Sequence, residues 1–212
     1  LLAVLILLLA AALVFTFTRA AWLGFGSALI FAFFFLRHEI YKYRRTLMVL
    51  LIILLVSFLI YFLPTRVQSP YSLLKRASSI FIPSQGGGRL ALWRNVLAVI
   101  KARPILGSGP NTFSVVTSLG GTGGTHNEIL NIGATLGLFG LAAYLAVIIV
   151  LFFRGVRSLN QLKDEHLRKL SLGLLAGCLA YLVHMQFSFS MVSVAALFWF
   201  FIGLIFVVTS PK

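Results

Sequence analysis

Long apolar runs dominate what this chain can fold into: Leu1–Phe17, Ala21–Leu36, Leu47–Leu63, Asn127–Phe153, Leu170–Phe187 and Met191–Val208. Each approaches the roughly 20 residues an α-helix needs to cross the hydrocarbon of a bilayer. Charged residues make up 10% of the chain and hydrophobic ones 60%, whereas a soluble domain is about a quarter charged. Water leaves nowhere to hide such a surface. In hydrocarbon only helices and closed barrels satisfy every backbone group, and continuous apolar runs of this length specify helices. The expected fold is all-α, a polytopic transmembrane bundle of about six helices. Residues 1–63 would carry the first three, 64–126 a long loop, and 127–212 the last three. Leu1 falls inside an apolar run with no Met and no basic leader, so the chain reads as a portion whose upstream helices lie outside it.

Charge orients the bundle. Arg37, Lys42, Arg44 and Arg45 separate the second and third segments, and Arg154, Arg157, Lys163, Arg168 and Lys169 separate the fourth and fifth. Short basic loops stay in the cytoplasm. Thr18–Ala20, Pro64–His126 and Ser188–Ser190 then fall outside, and Lys212 inside. The long outer loop carries Arg66, Lys75, Arg76, Arg89, Arg94, Lys101 and Arg103 with no acid before Glu128. Loops beyond about 60 residues translocate largely regardless of charge, and an anionic substrate at the outer leaflet would explain a cationic surface there. The net charge of +14 is dispersed between apolar blocks rather than gathered on one soluble face, which argues against nucleic acid as a partner. Lipid head groups or a phosphorylated substrate fit better. Cys178 stands alone in an apolar segment, and the histidines form no metal-ligand spacing with carboxylates, so neither a disulfide framework nor a metal site is expected. No cofactor motif is present: the glycines of Gly107-Ser108-Gly109 and Gly120–Gly124 lack the Lys-Ser/Thr of a phosphate-binding loop.

Within the outer loop, Gly86–Gly88 and Pro104 bracket a predicted amphipathic helix, Arg89–Arg103. Leu90, Trp93, Leu97 and Ile100 recur at helical spacing as one stripe, with Arg89 and Arg103 along one edge and Arg94 and Lys101 along the other. Such a helix lies in the membrane interface and sends its basic side chains toward water or phosphate; packing on the rest of the loop is the alternative.

Thr125-His126-Asn127-Glu128 opens the fourth segment. Thr125 and Glu128 have capping-box spacing, which puts His126 at the first helical position, where the helix dipole favours a neutral imidazole able to act as a base. Arg19 sits alone between two apolar segments on the outer side, where membrane anchoring and phosphate recognition are both open to it. Arg19, Arg89 and His126 are distant in sequence yet map to one face of the membrane.

Three stretches resemble a known family. Thr18-Arg19-Ala20-Ala21-Trp22-Leu23-Gly24 is similar to the Ser/Thr-Arg-Gly/Ala-x-Trp/Leu segment of O-antigen ligases and the related Wzy-type polymerases. Gly88-Arg89-Leu90-Ala91-Leu92-Trp93 and Arg103-Pro104-Ile105-Leu106-Gly107-Ser108-Gly109 resemble their Arg-x-x-x-Trp and Pro-Leu-x-Gly-x-Gly signatures. Thr125-His126-Asn127-Glu128 and Leu136-Gly137-Leu138-Phe139-Gly140 resemble their His-Asn-x-x-Leu and Gly-x-x-Gly stretches. The resemblance covers about 13–144, in matching order.

What it implies is a GT-C-like, metal-independent glycosyltransferase of the bacterial cytoplasmic membrane. The donor would be glycan on undecaprenyl diphosphate, the acceptor a lipid A-core or similar glycan, and the active face extracytoplasmic. By resemblance Arg19 and Arg89 hold the diphosphate and His126 activates the acceptor hydroxyl, with Arg94, Arg103, Asn127 and Glu128 as supporting neighbours. A Wzy-type polymerase uses the same chemistry on a different acceptor. A lipid-linked sugar transporter or flippase is the reading from another class; it calls for ionisable groups near the bilayer midplane, where His184 alone qualifies.

Overall fold

The computed structural model describes residues 2–15, 18–37, 83–110, 112, 125–188 and 190–209. Leu47–Leu63, Lys42, Arg44, Arg45, the loop up to residue 82, Gly120–Gly124 and Lys212 lie outside the described residues. Every element among those described is helical: α1 Leu2–Phe15, α2 Arg19–Leu36, α3 Pro83–Ala102, α4 Glu128–Leu159, α5 Glu165–Met185 and α6 Val192–Val208. Two of them, α4 and α5, are long and apolar enough to cross a membrane by length and composition, and Ala20–Leu36 and Val192–Val208 are shorter apolar helices.

The main core joins α4, α5 and α6. Leu151, Leu159, Leu172, Leu174, Leu175, Cys178, Phe198, Ile202 and Ile205 are buried together, with Phe31 and Phe35 of α2 packed against them. Gly24 lets α2 approach so closely that a methyl group there would sit 2.5 Å from the Ala180 carbonyl oxygen of α5. The indole of Trp22 donates to the Leu13 carbonyl at 3.1 Å, tying α1 to α2. Outward faces stay greasy: Ile30, Phe33, Phe34, Ile149, Phe153, Phe200 and Val207 are all exposed. Water penalises so much exposed apolar surface, whereas lipid tails match it.

At the opposite end from Ala180, Asp164 caps α5 by accepting from the amides of His166 (2.8 Å) and Leu167 (3.2 Å). That capped turn draws α5 five residues further toward its N-terminus than the expected Leu170 start. Lys169 and Glu165 pair across one helical turn. The α4–α5 turn thus carries the cluster Arg154, Arg157, Lys163, Arg168 and Lys169, with the Arg154 guanidinium 5.3 Å from the Phe206 ring centroid near the end of α6.

The fourth segment is not the single continuous span expected over Asn127–Phe153. Gly137 takes φ 70 and ψ −175, which breaks α4 into arms 128–136 and 138–159. Positive φ is the conformation glycine adopts without the steric cost an L side chain meets. A methyl group on Gly133 would lie 3.7 Å from Leu141 Cδ2, yet eight residues of straight helix rise about 12 Å. The short arm therefore folds back along the long one. Breaking a helix in an apolar setting strands backbone groups, and here the 104–109 turn takes them up. The Ala134 carbonyl accepts from the Ser108 amide (2.8 Å) and the Thr135 carbonyl from the Gly109 amide (2.9 Å). The amides of Leu138 and Phe139 donate to the carbonyls of Pro104 (2.7 Å) and Ile105 (3.4 Å). Ser108 Oγ adds a second bond to the Ala134 carbonyl at 2.9 Å.

Helix α3 also differs from expectation. It begins at Pro83 and runs through Gly86–Gly88 rather than starting after them; proline is suited to a first helical turn, where its missing N–H costs nothing. Its end at Ala102 follows from Pro104. The buried face is rotated from the expected stripe: Val96 and Val99 are buried against Ala134, with Leu92, Ile100 and Leu130 alongside. Leu97 is 46% exposed instead. The short arm of α4, unforeseen while the segment was read as one straight span, is the surface that α3 packs on.

Candidate functional site

The segment 125–128 is held from three sides. Trp93 of α3 donates its indole N–H to the Thr125 carbonyl at 3.0 Å. Thr125, 2% exposed, donates its hydroxyl to the Asn127 carbonyl at 2.7 Å and accepts from the Asn127 amide at 3.3 Å. Asn127 caps α4, its Oδ1 accepting from the Leu130 amide at 2.9 Å. Its Nδ2 donates to the Gln186 carbonyl at the end of α5, 3.3 Å away. The expected Thr125–Glu128 capping box is thus replaced. The Thr125 hydroxyl is committed to Asn127 backbone, and asparagine is as good a cap as threonine or better.

His126 consequently lies before the helix, not at its first position. Its φ of 51 is the one positive value outside glycine among the described residues, a conformation histidine tolerates better than most side chains. Non-glycine residues in that region cluster at functional sites, where surrounding bonds hold them there. The imidazole pKa lies below the ordinary histidine value, first because the ring is partly withdrawn from water and second because the Arg89 guanidinium is close enough to repel a proton. The direction matches the sequence expectation; the cause is burial and a neighbouring cation rather than a helix dipole. Arg89 comes one turn before Trp93 on α3, and residues four apart share a helix face. The Trp93–Thr125 bond therefore sets both Arg89 and His126 in place.

Arg19 opens α2; its side chain lies outside what is described. Gly24, five residues on, packs on Ala180, which is six residues before Gln186, the acceptor for Asn127. The start of α2 and the His126 segment are therefore at the same end of the bundle. Arg94 and Arg103 are exposed and are not gathered with Arg89. Arg94 is about 140° around α3, and Arg103 would lie about 20 Å along its axis at helical rise. The Arg103 backbone instead anchors the inserted turn, its carbonyl accepting from the Gly107 amide at 3.1 Å.

Glu128 does not reach back to Thr125. Its charge acts on Tyr144, in the long arm of α4, and on Tyr181 of α5. The Tyr181 hydroxyl is 2.9 Å from Ser190 Oγ. Tyr181 stacks on Phe198 at 4.4 Å between ring centroids, and Tyr144 meets Trp199 edge-on at 6.4 Å. Sequence reasoning missed both tyrosines, although a phenol in an otherwise apolar helix is itself a signal, because its hydroxyl needs a partner. Among the described residues no group of three or more His, Cys, Asp or Glu side chains is placed to hold a metal ion.

A family model described as O-antigen ligase matches residues 4–145 of this chain. No curated protein and no solved structure matches it. The matched stretch takes in Arg19, Arg89, the inserted turn, His126, Glu128 and Tyr144, and ends before α5.

Proposed function

This chain belongs to the O-antigen ligase family, and from that premise we propose that it is a membrane glycosyltransferase moving glycan from a lipid diphosphate to an acceptor hydroxyl on the extracytoplasmic face. The observation that carries the reading is the pairing of His126 with Arg89: a histidine whose protonated form is disfavoured by burial and by a nearby guanidinium. Neutral imidazole is a base, and guanidinium is a rigid fork for phosphate oxygens.

In the proposed reaction the acceptor oxygen attacks the anomeric carbon of the donor sugar and gives its proton to His126. The bond from that carbon to the diphosphate oxygen breaks, and undecaprenyl diphosphate departs with the electron pair. Arg89, joined by Arg19 from the start of α2, offsets the charge that develops on the departing diphosphate. Base assistance is typically worth about 10²–10⁴-fold in rate. The acceptor is a lipid A-core glycan in the ligase form of this reaction; a growing lipid-linked chain would make the same site a polymerase.

Supporting the membrane setting, α4 and α5 meet the length and apolarity needed to span, and the basic α4–α5 turn lies at the far end from His126. Short basic loops remain cytoplasmic, which supports a His126 end that faces outward from the cytoplasmic membrane. The test is transfer by the full-length protein in lipid nanodiscs, with undecaprenyl-diphosphate-linked repeat unit as donor and lipid A-core as acceptor. Transfer that disappears in His126→Ala supports the reading; transfer that survives that change undiminished overturns it.

A further inference from the structure

His126 and Glu128 flank the cap residue Asn127 and face different chemistry. On the His126 side stands Arg89. On the Glu128 side the neighbours that feel its charge are two neutral phenols, Tyr144 and Tyr181. Resting on the transferase reading above, we propose that Glu128, Tyr144, Tyr181 and Ser190 form the subsite that binds the neutral, hydroxyl-bearing sugar of the acceptor, apart from the cationic side that takes the diphosphate.

Position is the first argument. Asn127 Nδ2 bonds the Gln186 carbonyl at 3.3 Å, which seats the start of α4 against the end of α5, in the stretch between Tyr181 and Ser190, whose hydroxyls are 2.9 Å apart. The folding back of the short α4 arm lowers Glu128 to the level of Tyr144; in a straight helix the two would be about 24 Å apart. A sugar held there lies beside Glu128, two residues from His126, on the side from which an attacking hydroxyl would approach the base.

Chemistry is the second. Glu128 is partly exposed, and among the described residues its carboxylate has no hydrogen bond or ion pair. An ionised carboxylate only accepts, with room for several donors, and vicinal sugar hydroxyls supply such donors. The two phenols and Ser190 can both donate and accept, matching hydroxyls in either sense. The same carboxylate repels phosphate, so the donor head group is steered to the Arg89 side. Discrimination through an unfavourable charge is a common way to keep two similar ligands apart. Trp199, 48% exposed and edge-on to Tyr144, offers an apolar face beside these polar groups. Gln186 and Ser190, polar spots in an otherwise apolar stretch, thereby acquire a use.

The experiment measures steady-state transfer by full-length protein in nanodiscs, varying donor and acceptor separately. The donor is undecaprenyl-diphosphate-linked repeat unit. Two acceptors are run in parallel, lipid A-core and a repeat-unit oligosaccharide lacking the lipid diphosphate. Glu128→Gln is expected to raise the acceptor KM about tenfold or more, the loss of one charge-assisted hydrogen bond. The donor KM and the acid limb of the pH profile are expected to stay as in the unsubstituted protein. Tyr181→Phe, which keeps the stack on Phe198, should move the acceptor KM the same way by a smaller factor. An unchanged acceptor KM in both variants, or a rise confined to the donor KM, overturns the subsite and leaves the transferase reading standing. Absence of transfer to either acceptor by the unsubstituted protein overturns the transferase reading, and the subsite with it.

Discussion

A histidine makes a useful base only while it stays unprotonated, and partial burial and the charge of Arg89 both disfavour the protonated form of His126. The sign of the pH effect follows. A lowered pKa moves the acid limb of kcat/KM below the pH where an ordinary histidine would put it. Arg89→Gln removes the smaller of the two causes, so the limb is expected to shift to higher pH while activity at the plateau falls with the loss of the phosphate fork. A limb that stays put would mean that the guanidinium does not act on the base. Arg89→Lys keeps the charge and discards the fork; transfer is expected to drop by about tenfold or more, on the scale of one lost charge-assisted bond, with the limb nearly unmoved. Comparing the two variants separates electrostatics from geometry. At this scale the sequence singled out His126 and Arg89, and in the fold the Arg89 charge acts on the His126 imidazole. It misassigned the cap because Thr125 and Asn127, two positions apart, are both good cap residues, and only the long-range bond of Asn127 to Gln186 favours the second. Tyr144 and Tyr181 signalled only that each hydroxyl needs a partner; nothing local says that Glu128 folds back toward them.

That fold-back belongs to the elements. Hydropathy sums over 127–153 cannot see a break, since Leu-Gly-Leu-Phe-Gly is as apolar as the helix around it; what makes the break stable is a turn some thirty residues upstream. The Pro104–Gly109 segment replaces the α4 ladder bonds that Gly137 gives up, so two glycine motifs far apart in sequence form one joint. Gly137→Ala tests the joint most severely. An L side chain at this φ costs about 1–2 kcal/mol, and its methyl would collide with the Ile105 carbonyl, so a destabilisation beyond about 2 kcal/mol is expected. Ser108→Ala removes only the Oγ bond to Ala134 and should cost about 0.5–1.5 kcal/mol. Thermal unfolding of the detergent-solubilised variants ranks them; equal losses would mean that the break is not held by positive φ. The helices themselves were legible from apolar run length, with α2, α5 and α6 ending within two residues of expectation. The face of α3 was not, because the surface it packs on exists only once α4 is folded back.

Taken whole, the molecule is polarised along the bundle. One end gathers the start of α2, His126, Arg89 and the Glu128 cluster; the other gathers the basic turn between α4 and α5. Charge asymmetry in short loops is the dominant orienting signal during insertion, so this polarity is a prediction about sidedness as much as about shape. It can be read with single cysteines, because the chain has just one of its own, Cys178, and that one is fully buried. Replacing Cys178 by Ala or Ser and adding Ser118→Cys, in the long loop beyond the described residues, is expected to give labelling by an impermeant maleimide in intact spheroplasts. Gln161→Cys, exposed at the α4–α5 turn, should label only after lysis. The two sites act as each other's control: failure of both would indicate occlusion, whereas reversal would turn the molecule over. A reversed orientation would put His126 and Arg89 on the cytoplasmic side, out of reach of any acceptor across the membrane, and the proposed transfer could not take place there.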